Sequence, residues 1–428
     1  MRRRRLAHAM GMTIIHSSPL PDVEIPRGTI TDLVFARADE LGDRIAMIEG
    51  VSGEEWSFAR LFEAVKRLAG GLSARGFGTG STLAIMAPNM PEYAVAFHGA
   101  VRAGGTVTTV NPTYTPDEIR HQLIDSGASM IVTLPAAMEL AAAAIVDTPV
   151  NEIVVFGEAE GATSLESLYG DPIDQVALDP AEHIAVLPYS SGTTGLPKGV
   201  MLTHRNLVAN IAQMDHVLTY GEHELALAAL PFFHIYGMQV LMNGLLANDV
   251  TVVSVPRFDL VQALTLIETH HITQFFVVPP MVLALAKHPV IDEHDLSSLN
   301  LVFSGAAPLG AELAREASER VGCDVVQGYG MTELSPVSHA TPRGGFRPGS
   351  SGLTVSNTEC RIVDEEGVDQ PVDGVGELWI RGPQVMKSIS TTQKKPATRS
   401  TQTVGYTPAT LRSSMRRGTA TSSIGSRN

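Results

Sequence analysis

Short, uninterrupted apolar runs alternate with longer stretches of helical periodicity from about residue 28 to 387, a rhythm that predicts an α/β chain. Leu83-Ala84-Ile85-Met86-Ala87-Pro88 predicts a strand that stops at Asn89-Met90-Pro91, and residues 92–103 predict a helix ending at Gly104-Gly105. Thr106-Val107-Thr108-Thr109-Val110 is β-branched throughout and predicts the next strand. Residues 117–126 predict a helix, followed by the strand Met130-Ile131-Val132-Thr133. The rhythm returns at Val252-Val253-Ser254-Val255, Phe275-Phe276-Val277-Val278 and Leu301-Val302-Phe303. Strands this apolar along their whole length are buried on both faces, so largely parallel sheets covered by helices are expected.

After Asn357 the pattern changes to short antiparallel strands. Cys360-Arg361-Ile362-Val363-Asp364 and Gly376-Glu377-Leu378-Trp379-Ile380-Arg381-Gly382 flank a turn at Glu365-Glu366-Gly367. At Ser388 it changes again: residues 388–428 hold seven Lys/Arg, no Asp or Glu, and an excess of Ser and Thr without hydrophobic periodicity. The expected organisation is therefore an extension (1–27), an α/β core (28–356), a small β subdomain (357–387) and a non-native, disordered tail (388–428). A chain of 428 residues is also too long for one core, which fits two or more subdomains.

Hydrophobic residues make up 44% of the chain and charged ones 18%, as in ordinary globular proteins. The net charge of −14 argues against a general nucleic-acid or anionic-membrane surface. Cys323 and Cys360 are the only cysteines, which excludes a disulfide framework and a Cys-rich zinc site and fits a cytoplasmic setting. No apolar run approaches the roughly 20 residues of a membrane span. The basic start Met1-Arg2-Arg3-Arg4-Arg5 lacks a following apolar segment, so a secretory signal is not expected; Met10 and Met12 stand as alternative starts.

Four strings carry chemistry. Tyr189-Ser190-Ser191-Gly192-Thr193-Thr194-Gly195-Leu196-Pro197-Lys198-Gly199 follows the strand-like Ile184-Ala185-Val186-Leu187. Glycines admit backbone N–H groups close to a polyphosphate, hydroxyls add donors and Lys198 adds charge, although the lysine spacing is not that of a Walker A loop. By composition alone the same stretch is a surface loop. Pro231-Phe232-Phe233-His234-Ile235-Tyr236-Gly237-Met238 places one histidine among aromatics, where a packed core histidine is the plainer alternative. Ser304-Gly305-Ala306-Ala307-Pro308-Leu309 is small enough for a flat ring or acyl chain to approach the backbone, or is a plain strand-to-helix turn. Gln327-Gly328-Tyr329-Gly330-Met331-Thr332-Glu333 combines an aromatic face, a hydroxyl and a carboxylate, oxygen ligands that suit Mg2+ held against a nucleotide phosphate.

In this order and spacing the strings resemble the acyl-adenylate-forming superfamily, which includes acyl-CoA synthetases, luciferases and peptide-synthetase adenylation domains. The resemblance covers most of residues 28–387. Gly199-Val200-Met201-Leu202-Thr203-His204-Arg205-Asn206 and the string around His234 look most like 4-coumarate–CoA ligases and related acyl-CoA synthetases. The resemblance implies the large N-terminal domain of such enzymes: two αβ subdomains with largely parallel sheets plus a small β subdomain. It also implies activation of a carboxylic acid, aryl or medium-chain, by ATP to acyl-AMP, then transfer to coenzyme A. Ser190, Ser191, Gly192, Thr193, Thr194, Gly195 and Lys198 would form the phosphate loop, with Thr193, Thr194 and Lys198 at the β- and γ-phosphates. Tyr329, beside Gly330, would stack on adenine, Thr332 would contact the α-phosphate and Glu333 would hold Mg2+. Gly305, Ala306 and Ala307 would flank adenine and acyl group, and His234 would line the acyl pocket near the carboxylate. A non-catalytic remnant binding ATP or acyl ligand, and an acyl-AMP ligase loading a carrier protein, are the alternatives.

Family members continue after Gly382 with a Thr-Gly-Asp ribose-binding segment, a hinge and a small mobile C-terminal domain carrying a lysine used in adenylation. None of these is present as residues, so the small domain is expected to be absent. The genetic code suggests why. Joining the last base of each codon from Ser400 to the first two of the next permits Asp-Ala-Asp-Gly-Trp-Leu-His-Thr-Gly-Asp over residues 401–410. Continuing over residues 416–427 permits Glu-Glu-Gly-Asp-Gly-Tyr-Phe-Ile-Asp-Arg-Ile-Lys, similar to the run into the hinge. A reading-frame shift near Lys387-Ser388 and impaired thioester formation are the resulting expectations.

Overall fold

The computed structural model describes residues 13–190, 197–345, 347 and 349–390. Among the described residues, one sheet has eight strands in the spatial order Ser388–Ile389, Lys198–Thr203, Ile184–Ser190, Thr106–Thr109, Thr82–Met86, Met130–Thr133, Glu152–Val155 and Thr163–Ser164. From Ile184–Ser190 onward every pairing is parallel, and the two strands before it are antiparallel. The second sheet, among the described residues, has nine strands in the order Leu353–Thr354, Val337–Ala340, Asp324–Gly330, Leu301–Ser304, Gln274–Val277, Leu225–Ala228, Thr251–Ser254, Ile45–Glu49 and Glu55–Ser57. Its middle, from Asp324–Gly330 to Ile45–Glu49, is parallel, and antiparallel strands close both edges.

The central strands are apolar because both faces are covered. Thr82–Met86, Met130–Thr133 and Gln274–Val277 are buried at every position. Helix Phe58–Ala74 lies against helix Pro91–Arg102, joining Phe58, Leu61, Leu68, Tyr93 and Phe97 to a core that takes in the loop residue Phe232 and continues into the second sheet at Phe275 and Phe276. A Cβ at Gly70 or Gly71 would meet the carbonyls of Asp171 and Leu168, so only glycine lets the chain cross there. On the other face of the first sheet, helix Pro116–Ser126 buries Ile119 and Leu123. Thr115 and Glu118 close its start as a capping box, Pro116 occupies its first turn, and Gly127 ends it in the left-handed conformation.

The β subdomain pairs Glu359–Val363 with Glu377–Arg381, and His16–Ser17 adds an edge strand to it from the N-terminal extension. Residues 388–390, grouped with the tail by composition, run along the first sheet: Val200 pairs with Ile389 and Met201 with Ser388. That pairing uses backbone groups and tolerates an atypical sequence. The remaining tail, residues 391–428, lies outside the described residues. Among the described residues no helix is long and apolar enough to cross a membrane.

The two sheets are tied by Asn89, which is 3% exposed. Its Nδ2 donates to the carbonyls of Ala228 and Leu230 at 3.0 and 2.9 Å, and its Oδ1 accepts from the Phe232 N–H at 2.7 Å. Replacing it with Ala strands three buried backbone groups, so Asn89→Ala is expected to lose about 3 kcal/mol or more, read as a fall in the urea midpoint.

His98 and His204 are fully buried. Thr31 Oγ1 lies 3.1 Å from His98 Nδ1, and the Ile30 N–H donates to His204 Nδ1 at 3.3 Å. Desolvation pushes each down to about 3, and the neighbouring His183 and His98 add to the effect at His204. Both rings stay neutral in the fold, whereas the unfolded chain takes up protons below pH ~6.5. Stability is therefore full above that pH and is lost as pH falls toward 3, by about 1.4 kcal/mol per unit for each histidine. Urea midpoints should fall between about pH 7.5 and 5.5, and His204→Gln should flatten the slope.

Candidate active site

Tyr189 and Ser190 end a strand, and Lys198 begins its antiparallel neighbour, with Lys198 opposite Ser190 and Gly199 opposite Tyr189. The intervening loop thus leaves and re-enters the first sheet at one place; Ser191, Gly192, Thr193, Thr194 and Gly195 lie outside the described residues. The Tyr189 hydroxyl donates to Asp125 Oδ2 at 2.6 Å. Burial, then this bond and the Asp125 charge, raise the phenol above its ordinary pKa, so it stays neutral and keeps its proton to donate. A Cβ at Gly199 would sit 3.2 Å from the Tyr189 ring, so the absence of a side chain lets the two strand ends close up. Lys198 is exposed.

Facing this edge, the strand Asp324–Gly330 runs into the short 3-10 turn Thr332–Leu334. Thr332 and Glu333 are buried, Tyr329 is half-buried and Gly330 is exposed. The Ser190 hydroxyl donates to Glu333 Oε1 at 3.3 Å. Two strings 143 residues apart thus meet across the two sheets. The Tyr329 ring lies 6.1 Å from that of His339, whose nitrogens are each 3.1 Å from a hydroxyl, of Ser338 and of Thr354.

Strand Leu301–Ser304 ends at Gly305, where a Cβ would come 2.7 Å from the ring of Tyr236. Tyr236 is buried and donates its hydroxyl to the Phe303 carbonyl at 3.0 Å. Ala306 and Ala307 beyond it are exposed, and Ala306 holds φ +67°, a left-handed conformation that costs an alanine about 1–2 kcal/mol. The Gln327 amide braces this turn by accepting from the Leu309 N–H at 3.0 Å and donating to its carbonyl at 3.2 Å. Such strain concentrates where a site needs an unusual backbone shape.

His234 lies on the loop between strand Leu225–Ala228 and the π-helix Tyr236–Gly244. Its Nδ1 accepts from the Tyr236 N–H at 3.3 Å, which leaves Nε2 to carry the proton of the neutral ring. The residue is exposed, yet surrounding protein desolvates it and lowers its pKa. A neutral imidazole with a free N–H edge can donate to a carboxylate without forming a fixed ion pair.

The structure brings Ser190 and Glu333 into contact, sets Tyr329 and Gly330 at the end of the strand that leads into the turn bearing Thr332, and places Gly305 against the aromatic that follows His234. Asp125, Tyr236 and Gln327 hold these groups in place and were not among the residues singled out from sequence. Tyr236 stood within the quoted aromatic string, a usable signal; Asp125 had none. Among the described residues no group of three or more His, Cys, Asp or Glu could hold a metal by itself. A single buried carboxylate beside a hydroxyl suits a cation held mainly by phosphate oxygens and water.

A family model described as AMP-binding enzyme matches residues 34–389. The 4-coumarate--CoA ligase 5 of Oryza sativa subsp. japonica is 40% identical over 392 residues, covering 87% of this chain and 71% of that protein. The long-chain-fatty-acid-CoA ligase of Archaeoglobus fulgidus superposes with a TM-score of 0.81 at 26% identity, over 87% of this chain and 78% of its own. ATP-bound MatB from Rhodopseudomonas palustris superposes with a TM-score of 0.76 at 28% identity, over 85% and 72%. On the match of the family model and the identity to the rice ligase, this chain belongs to the AMP-binding enzymes, the adenylate-forming ligases.

Proposed function

We propose that the chain activates an aryl or medium-chain carboxylic acid with ATP and passes the acyl group to coenzyme A. The observation that carries this reading is the contact of Ser190 with Glu333, which joins the phosphate-loop edge of one sheet to a buried carboxylate at the edge of the other. In the first step a carboxylate oxygen of the acid bonds to the α-phosphorus, and the bond to pyrophosphate breaks. In the second, the thiol sulfur bonds to the acyl carbon and AMP leaves with the bonding pair, the thiol proton passing to solvent.

In-line transfer of this kind needs positioning and charge neutralisation rather than a protein nucleophile. Lys198, with Ser190 and the loop residues Thr193 and Thr194, would bind the polyphosphate. Tyr329 would stack on adenine, the backbone from Gly305 to Ala307 would flank the ring, and Thr332 would reach the α-phosphate. Glu333 would hold Mg2+, which when bound neutralises charge on the phosphates. His234 Nε2–H would orient the acid carboxylate.

A second reading, ligand binding with little turnover, is favoured by the family-like strings permitted in the shifted frame over residues 401–427. Loss of one preorganised donor such as the family's C-terminal lysine costs about 10²–10³ in rate. A non-hydrolysable aryl-acyl sulfamoyl adenosine separates binding from turnover. At about 100 times its Kd it should stabilise the chain by about 2.7 kcal/mol, raising the thermal midpoint a few degrees. Glu333→Gln should leave this shift nearly intact but weaken Mg2+-dependent ATP binding. On the second reading, the same chain should form thioester at least about 10² more slowly than one translated from the restored frame. No stabilisation by the adenylate would contradict the proposed function; thioester formation matching the restored-frame protein would contradict the second reading.

A further inference from the structure

Between strand Glu377–Arg381 of the β subdomain and strand Ser388–Ile389 of the first sheet, residues 382–387 cross the molecule as a strap held by buried amides. Asn206 brackets it, its Nδ2 donating to the carbonyls of Pro383 and Val385, each at 2.9 Å. The residue between them, Gln384, is fully buried. Its Oε1 accepts from Gln213 Nε2 at 2.9 Å, its Nε2 donates to Thr358 Oγ1 at 2.8 Å, and its carbonyl accepts from the Ser335 hydroxyl at 2.8 Å.

The backbone that follows touches both halves of the candidate site. The Met386 N–H donates to the Glu333 carbonyl at 2.8 Å, Lys387 N–H to Met201 at 3.0 Å, and Ser390 N–H to Gly199 at 2.7 Å. Glu333 and Gly199, the residue next to Lys198, therefore hang on one segment whose place is set by Asn206 and Gln384. We propose that Asn206 and Gln384 are positioning residues that fix the separation between the Glu333 carboxylate and the Lys198 edge, and so set the fit to magnesium-bound polyphosphate. This rests on the proposed use of ATP.

Asn206 divides its labour by atom, which allows a clean test. Its Oδ1 accepts from the N–H and hydroxyl of Thr203, closing the start of helix His204–Gln213, while only Nδ2 reaches the strap. Asn206→Asp keeps the helix-start acceptor and removes both donors to the strap. Calorimetric titration of the full chain with Mg·ATP and, separately, with AMP reads the effect. Asn206→Asp should weaken Mg·ATP binding about tenfold and leave AMP binding within about twofold, because AMP lacks the phosphates that span Lys198 and Glu333. Gln384→Met, similar in volume and without hydrogen bonds, should show the same split and decides the matter if the first variant does not fold. Equal loss of both nucleotides, or Mg·ATP binding within about twofold of the parent, would overturn the positioning role. A parent chain that binds neither nucleotide would overturn the proposed function and this inference together.

Discussion

The side-chain amide of Asn89 is the constraint on which the site depends. It leaves the C-terminal end of strand Thr82–Met86 and satisfies three backbone groups of the chain leaving strand Leu225–Ala228. Thr109 adds a second tie, its hydroxyl donating to the Phe233 carbonyl at 2.8 Å. Together they hold the carboxyl edges of two parallel sheets against each other, and in open α/β sheets ligands bind outside those edges. The loop bearing His234 follows directly. Its tight closure is possible only because a Cβ at Gly237, which would come 2.0 Å from the Pro231 carbonyl oxygen, is missing.

From that placement the chemistry follows by environment. Glu333 is nearly withdrawn from water and accepts from the Ser190 hydroxyl, so its carboxyl group is held at one point. His234 is held neutral by desolvation and keeps one N–H to donate. Ala306, after the strand Leu301–Ser304, is bent into a left-handed conformation, and Gln327 braces the turn through Leu309. A site of this type spends its organisation on orientation and charge, as transfer at phosphorus requires.

Much of the fold was legible because parallel strands are apolar on both faces. Met130–Thr133 is found where the sequence places it, and Thr82–Met86 and Gln274–Val277 lie within a residue or two of expectation. The short edge strands were not legible: His16–Ser17 and Ser388–Ile389 are two residues each, too short for periodicity, and are recruited by backbone pairing. Nor does Tyr236–Gly244 announce a π-helix, since an apolar run carries no mark of an extra residue per turn. The four quoted strings stand out because each concentrates unusual chemistry in a few residues, and two of them meet at Ser190 and Glu333. The bracing of the strap by Asn206 was not legible, since a single amide 177 and 179 residues from its two partners leaves no local pattern.

A crystal structure of the full chain grown with saturating Mg·ATP tests most directly whether the two sheet edges form one nucleotide site. Polyphosphate is expected between Lys198 and Glu333, with the cation on the Glu333 side and adenine against Tyr329 beside residues 305–307. Nucleotide bound elsewhere, or polyphosphate touching only one of the two edges, would contradict it.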